Sequence, residues 1–197
     1  MNTNPIKVLL FEIFDLLSYI IFVGWIVFFI RFFIVNPFNV VGMSMYPTIH
    51  DKDFILVDKI SHRFTDYQRW DIIVFVPPGK TDPYVKRIIG LSGETVTIKD
   101  NTVKICKTDT DECQMLDQWF LPEDSITNAD CGKDTFKITD GFFVMGDNRW
   151  WSTDSRCCFG LQCFEHTNYQ VPNNYIIGKV FLRLFPDFGT FTNPFIN

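Results

Sequence analysis

A serine wedged between two methionines, Ser44 in NVVGMSMYPT (residues 39–48), follows directly on the most apolar stretch of the chain. A serine hydroxyl is a weak nucleophile until a neighbouring base takes its proton. The three histidines, His50, His62 and His166, lack any flanking pattern that marks a catalytic base. No serine is followed three residues later by lysine, and no G-x-S-x-G elbow occurs. Lysine is the other available base, and Lys86 stands apart because it lies in the apolar run PYVKRIIG (83–90). In a strand, Tyr84, Lys86 and Ile88 point one way and Val85, Arg87 and Ile89 the other. Burial there disfavours the ammonium and lowers its pKa from about 10.4. A fall of about 2 units needs about 2.7 kcal/mol and leaves a neutral fraction near pH 8 that takes up a hydroxyl proton. On pattern alone, a lysine snorkelling past a strand edge is the plainer reading.

The elements that position these residues read mostly as strands. FILVDKI (54–60) and WDIIVFVPPG (70–79) are apolar runs closed by turn residues. TVTIKDNTVKI (95–105) reads as a hairpin about a two-residue Asp100-Asn101 turn, which pairs Ile98 with Val103 and Val96 with Ile105. Those four side chains then share one face, with Thr97 and Lys104 on the other. Residues 106–134 are polar and aperiodic and read as an inserted subdomain. Strands resume over 135–148 and 175–185. The expected organisation is a short N-terminal segment (1–15), an anchor (16–35), and a β domain of 37–105 and 135–190 interrupted by 106–134.

The anchor is read from LLSYIIFVGWIVFFIRFFIV (16–35), whose only formal charge is Arg31. At about 1.5 Å per residue its helix spans roughly 30 Å, the thickness of bilayer hydrocarbon. Arg31 lies near the end, where its stem rests in lipid while the guanidinium reaches the interface. Asn36-Pro37 closes the helix. A cleaved leader would need small residues downstream. None of the A-x-A kind follows, and Ala129 is the only alanine in the chain. Hydrophobic residues make up 47% of the sequence and 22 residues are Phe, so part of this apolar mass is expected against lipid. A net charge of −5 argues against nucleic acid as a partner.

Three stretches taken together change the weight given to Ser44 and Lys86. GMSMYPT (42–48), YVKRIIGLSGE (84–94) and GDNRWWSTDSR (146–156) resemble, in order and spacing, the conserved boxes of bacterial type I signal peptidases. WDIIVFVPP (70–78) is similar to that family's core strand segment. The resemblance implies a signal-peptidase-like β-barrel or sandwich behind one transmembrane helix. It implies a membrane-bound serine protease that removes signal peptides from exported preproteins, cleaving after small residues in the A-x-A pattern. Ser44 matches the nucleophile and Lys86 the general base. Ser152 matches a serine that orients the amine. Asp147, Asp154, Arg87 and Arg156 match charged residues that brace the site. The Ser44 N–H matches one oxyanion donor, and Gly42 stands where many relatives carry a serine as the second. Phe38, Val40, Met45, Ile49, Tyr84 and Val85 match residues lining two shallow substrate pockets, and without the resemblance all six read as core. The substrate is expected to add as a strand beside 83–86. The family places its catalytic domain on the outer face of the cell membrane, works without a cofactor, and is expected here as a monomer. A lysine at position 86 fits the bacterial or organellar branch, since the endoplasmic-reticulum branch uses histidine.

The six cysteines, at 106, 113, 131, 157, 158 and 163, depart from the pattern. An even count in an oxidising location implies disulfides, with Cys106–Cys113 the pair expected first because both lie just past the hairpin in the insertion. A zinc site of Cys131, Cys157, Cys158 and Cys163 is the alternative. Trp150 and Trp151 suit either a membrane interface or packing over Ser152. Two other functions stand beside the protease: a Ser-Lys autoprotease of the SOS-repressor type, and a non-catalytic membrane-anchored β module.

Overall fold

The computed structural model describes residues 5–110, 112–129, 131–163 and 169–191, so His166 lies outside the described residues. A long helix, α1 (Pro5–Phe29), comes first. Leu, Ile and Phe run round every face of α1 and stay exposed; Phe14, Tyr19 and Trp25 are each 67% accessible. The expected helix over 16–35 is corrected at both ends. It begins at Pro5, and regular α geometry stops at Phe29, where Ile30–Ile34 form a π-helical turn. Val35 is already extended, with φ −130° and ψ 133°. Asn36 precedes Pro37, whose ring bars the α region to it, and the chain passes into a strand. Lys7, Glu12 and Asp15 lie in the first half of α1. Its uncharged part, 16–29, is therefore about 21 Å long, against about 30 Å of hydrocarbon. By length and apolarity together, no helix among the described residues is enough to cross a membrane.

The strands are β1 (Val35–Asn39), β2 (Phe54–Asp58), β3 (Ile72–Phe75), β4 (Tyr84–Gly90), β5 (Glu94–Lys99), β6 (Thr102–Lys107), β7 (Cys113–Met115), β8 (Thr135–Lys137), β9 (Phe143–Met145), β10 (Ile176–Phe185) and β11 (Gly189–Thr190). They form two sheets. One has seven strands in the order β1-β2-β10-β3-β4-β9, with β11 on β10, and the other has four, β7-β6-β5-β8. Neither closes on itself, so the mostly-β class stands and, of the expected barrel or sandwich, the closed barrel gives way to two open sheets. Pro37 is tolerated because β1 is an edge strand, paired on one side only. The β5–β6 hairpin has the expected register, Val96 opposite Ile105 and Ile98 opposite Val103. Asp100 and Asn101 both take positive φ, 50° and 62°, as a type I′ turn demands.

Strand alternation fills both faces of the larger sheet. Ile72 and Val74 of β3 pack with Ile55, Val57 and Val180, while Ile73 and Phe75 pack with Ile88, Val144 and Phe159 on the opposite face. A third cluster joins Ile89, Phe143 and Met145 to Val96, Ile98, Val103, Ile105 and Phe136 of the smaller sheet. β3 is thus held from both faces and β4 is paired with it along 84–87, which fixes the side chains that β4 directs at a site. Residues 106–134 start on β6, and their later part packs against the larger sheet, where Phe120 lies 4.2 Å under the Arg87 guanidinium.

All six cysteines are paired: Cys106–Cys113, Cys131–Cys157 and Cys158–Cys163. The first closes the β6–β7 ladder, where the two residues stand directly opposite. The four sulfurs weighed as a zinc set are consumed by the other two bridges, which corrects that alternative.

Candidate active site

Ser44 stands in a tight excursion between β1 and β2. Val40 N–H donates to Asp53 O (2.9 Å) and Lys52 N–H to Val40 O (2.9 Å), which closes the neck of the loop. Met45 and Ile49, one helical turn apart and linked by an Ile49 N–H to Met45 O bond of 3.0 Å, are driven into the core. Met43 stays exposed, so Ser44 is held at the boundary between core and solvent. The far side of the loop is clamped by Asn148, whose N–H donates to Ser44 O (3.0 Å) and whose Nδ2 donates to Met43 O (3.0 Å).

Lys86 reaches the same point from β4, where it pairs with Ile73 of β3. Its Nζ donates to Ser44 Oγ at 2.7 Å and to Val85 O at 3.0 Å, and lies 5.4 Å from the Tyr84 ring centre. Only 3% of Lys86 is accessible. Burial pulls its pKa down from 10.5 to about 8, against the pull of Asp154 and Asp147, with Arg156 adding to the fall. The plainer reading of a lysine reaching solvent is thereby displaced.

The charged residues expected as braces form two buried bidentate pairs. Arg87 donates through Nε and Nη2 to the Asp147 carboxylate (2.9 and 2.7 Å) and through Nη1 to Trp70 O (2.9 Å). Arg156 donates through Nε and Nη2 to the Asp154 carboxylate (2.9 and 3.0 Å). Asp154 also accepts from Gly146 N–H at 3.0 Å, so one carboxylate ties the Arg156 turn to the end of β9. Burial pushes the Asp154 pKa up. Arg156, the Gly146 N–H and the Ser152 hydroxyl outweigh it, and the carboxyl stays below its ordinary value.

Ser152 differs from what its position implied, and Gly42 supplies no second donor. No hydrogen bond joins Ser152 to Lys86; the Ser152 Oγ is buried and, apart from its pull on Asp154, has no partner. It presses on Gly146, where an added Cβ would meet it at 2.1 Å. Gly42, at φ +99°, has no side-chain donor, and its N–H is taken by Asp51 Oδ1 at 2.8 Å. The Ser44 N–H has no acceptor among the described residues, so of the two positions it alone is free to donate.

A cleft of about 560 Å³ opens beside the pair. Phe38, Val40, Met45, Tyr84 and Val85 line it, as does Trp151, while Ile49 is fully buried in the core instead. Ile49 is turned inward because the loop needs it as its anchor, which corrects its assignment to a pocket. β9 pairs with β4 only from Arg87 onward, so 83–86 has no strand neighbour on that side among the described residues.

Sequence reasoning missed Asn148, Gly146 and Arg149. The Arg149 guanidinium is buried, which lowers its pKa to about 10, and it donates to Gln118 and Thr127 of the 106–134 segment. Arg156 donates to Asn128 O of the same segment at 3.1 Å. Three arginines within or beside the second and third boxes were the available signal, since each must find acceptors once buried.

A family model described as signal peptidase, peptidase S26, matches residues 13–185. Signal peptidase I of Bacillus licheniformis is 37% identical over 133 residues, which cover 67% of this chain and 72% of that protein. Signal peptidase I P of Bacillus subtilis subsp. natto is 34% identical over 151 residues, 76% of this chain and 82% of that protein. A solved signal peptidase I from Enterococcus faecalis V583 is 26% identical and covers 58% of this chain and 97% of that one. Its TM-score of 0.38 is too low to bear on the fold. The chain belongs to the signal peptidase family, peptidase S26.

Proposed function

We propose that this protein is a membrane-anchored serine endopeptidase that removes signal peptides from exported preproteins after small residues, using Ser44 as nucleophile and Lys86 as general base. The observation that carries this reading is the 2.7 Å contact of a buried, pKa-depressed amine with the Ser44 hydroxyl. A non-catalytic β module has no use for an amine destabilised in this way, and membership of the S26 family sets aside the SOS-type autoprotease.

In this reading neutral Lys86 Nζ takes the Ser44 proton as Oγ attacks the scissile carbonyl. The free Ser44 N–H donates to the oxyanion that forms. Lys86 then gives the proton to the leaving amine, and the acyl-enzyme is hydrolysed by a water that the same amine activates. Ser152, whose buried hydroxyl has no partner beyond its pull on Asp154, is the positioning residue assigned to the amine once it carries charge. The Arg87–Asp147 and Arg156–Asp154 pairs hold the two loops on which these groups sit. The extended substrate lies in the cleft beside 83–86 as an added strand, with alanine-sized side chains against Phe38, Tyr84 and Val85. The test is cleavage of a preprotein bearing Ala-x-Ala. The parent in detergent should cut it after the second alanine and the Ser44→Ala protein should leave it whole; cutting by both removes Ser44 from the mechanism.

We also assign α1 and the turn after it to the membrane, with the β domain on the outer face. Its support is the apolar surface that α1 exposes all round among the described residues. The run is shorter than hydrocarbon, and local bilayer thinning with snorkelling of Arg31 accommodates that. The full chain should stay with the membrane pellet through alkaline carbonate washing, and a chain lacking 1–34 should not. Release of the full chain by the wash would overturn the anchor.

A further inference from the structure

We propose that Phe159 is a specificity-determining residue: its ring, locked behind Tyr84 by the Cys158–Cys163 loop, limits the size of substrate side chain that the cleft admits. This rests on reading the cleft as the substrate groove.

Phe159 is fully buried and meets Tyr84 edge to face, with ring centres 6.3 Å apart and planes at 85°. Tyr84 lines the cleft. Behind Phe159 stands Phe75 of β3, 5.5 Å away, so the ring has no room to retreat. Tyr84 is thus one wall of the cleft, and Phe159 is the strut between it and the rigid sheet.

The backbone that delivers this ring is costly. Cys158, Phe159 and Gly160 take positive φ in succession, 49°, 56° and 75°, and residues with a Cβ avoid that region. Such a conformation persists only where its surroundings impose it. Here Asp154 O accepts from Phe159 N–H at 3.0 Å, Leu161 N–H returns to Cys158 O at 3.1 Å, and the Cys158–Cys163 bridge closes the loop. A Cβ on Gly160 would meet Thr153, a second lining residue, at 3.2 Å. The loop therefore backs the cleft at two points.

In a hydrophobic pocket one methylene of substrate discriminates by about 10–200-fold. Phe159→Leu keeps an apolar filler but removes the ring edge on which Tyr84 leans. The full chain in detergent is given one preprotein with Ala or Val at the residue before the cut, and again two residues upstream of that. For parent, Phe159→Leu and a Cys158→Ser/Cys163→Ser double variant, the Ala-to-Val rate ratio is measured beside the melting temperature. The ratio at one of the two positions should fall by about tenfold in Phe159→Leu. The double variant should shift the same ratio in the same direction and keeps the test open if Phe159→Leu does not fold. A folded Phe159→Leu protein with parental ratios overturns the inference alone. A parent that cuts no substrate overturns the proteolytic reading, and this inference with it.

Discussion

At pH 7 the Lys86→Met protein should cleave a preprotein at least about 10⁴-fold more slowly than the parent, and should melt at a higher temperature. The first half follows from the loss of the amine that, among the described residues, bonds Ser44 Oγ and takes its proton. The second follows from what burial does to the amine. Its folded pKa of about 8 lies below its ordinary 10.5, so the unfolded chain holds this proton more tightly than the native one. The protonated ammonium therefore destabilises the fold fully below pH 8, and the penalty fades as pH rises from about 8 to 10.5. At 1.36 kcal/mol per unit, the gap amounts to about 3 kcal/mol. Methionine matches the stem in length and carries no charge. At roughly 2–4 °C per kcal/mol for a chain of this size, the gain is several degrees near neutral pH and should shrink towards pH 10. The parent's own rate should climb with pH about a midpoint near 8, as the amine loses its proton. A variant that melts no higher than the parent at pH 7, or a parental rate flat from pH 5 to 9, would show that the amine is not held in this buried state.

How far the sequence reveals this arrangement depends on the distance over which each feature is decided. The β5–β6 hairpin is legible because its alternation and its Asp100-Asn101 turn lie within one short stretch and agree with each other. Ser44 and Lys86 are each marked by local surroundings, but their meeting is a contact across 42 residues that no periodicity encodes. The likeness of three boxes to a family suggested it. The end of α1 was misplaced because the stretch 30–35 is, apart from Arg31, as apolar as the helix before it, while the strand that starts at Val35 is decided by pairing with β2, about twenty residues on. Ile49 was assigned to a pocket because an apolar residue on a loop does not announce which way it turns. Only the closure of that loop by Asp53 and Lys52 sends it inward. Asn148 and Arg149 were missed for a related reason: their partners, Met43 O, Thr127 and Gln118, come from segments without regular structure. The Cys106–Cys113 bridge was legible because both cysteines lie just past the hairpin, whereas Cys158–Cys163, closer still in sequence, has no such frame and Cys131–Cys157 joins segments that pattern leaves unrelated.

The Gly146→Ala protein should fold and yet lose at least about 10²-fold in cleavage rate. Gly146 is not a glycine for conformational reasons, since its φ is not positive. It is a glycine for space. A Cβ there would lie 2.1 Å from Ser152 Oγ and 2.3 Å from Ser44 O, closer than real contacts permit. Ser152 has little freedom to yield, because its oxygen is already buried, and the Ser44 carbonyl is fixed by Asn148 N–H. Gly146 itself is tied to Asp154 through its N–H. The clash is therefore relieved by moving the Ser44 loop off the amine, and a displacement of about 1 Å at a reacting group costs about 10²-fold. The three atoms nearest the added methyl all belong to Ser152 and Ser44, so the displacement falls on those two loops and the fold should survive. Gly24→Ala, in open space on α1, is the matched control and should cleave at the parental rate in detergent. The decisive measurement is the rate beside the melting temperature. A folded Gly146→Ala protein that cuts as fast as the parent would mean that the Ser44 and Ser152 loops are not pressed together across this glycine, and the positioning role assigned to Ser152 would fall with that contact.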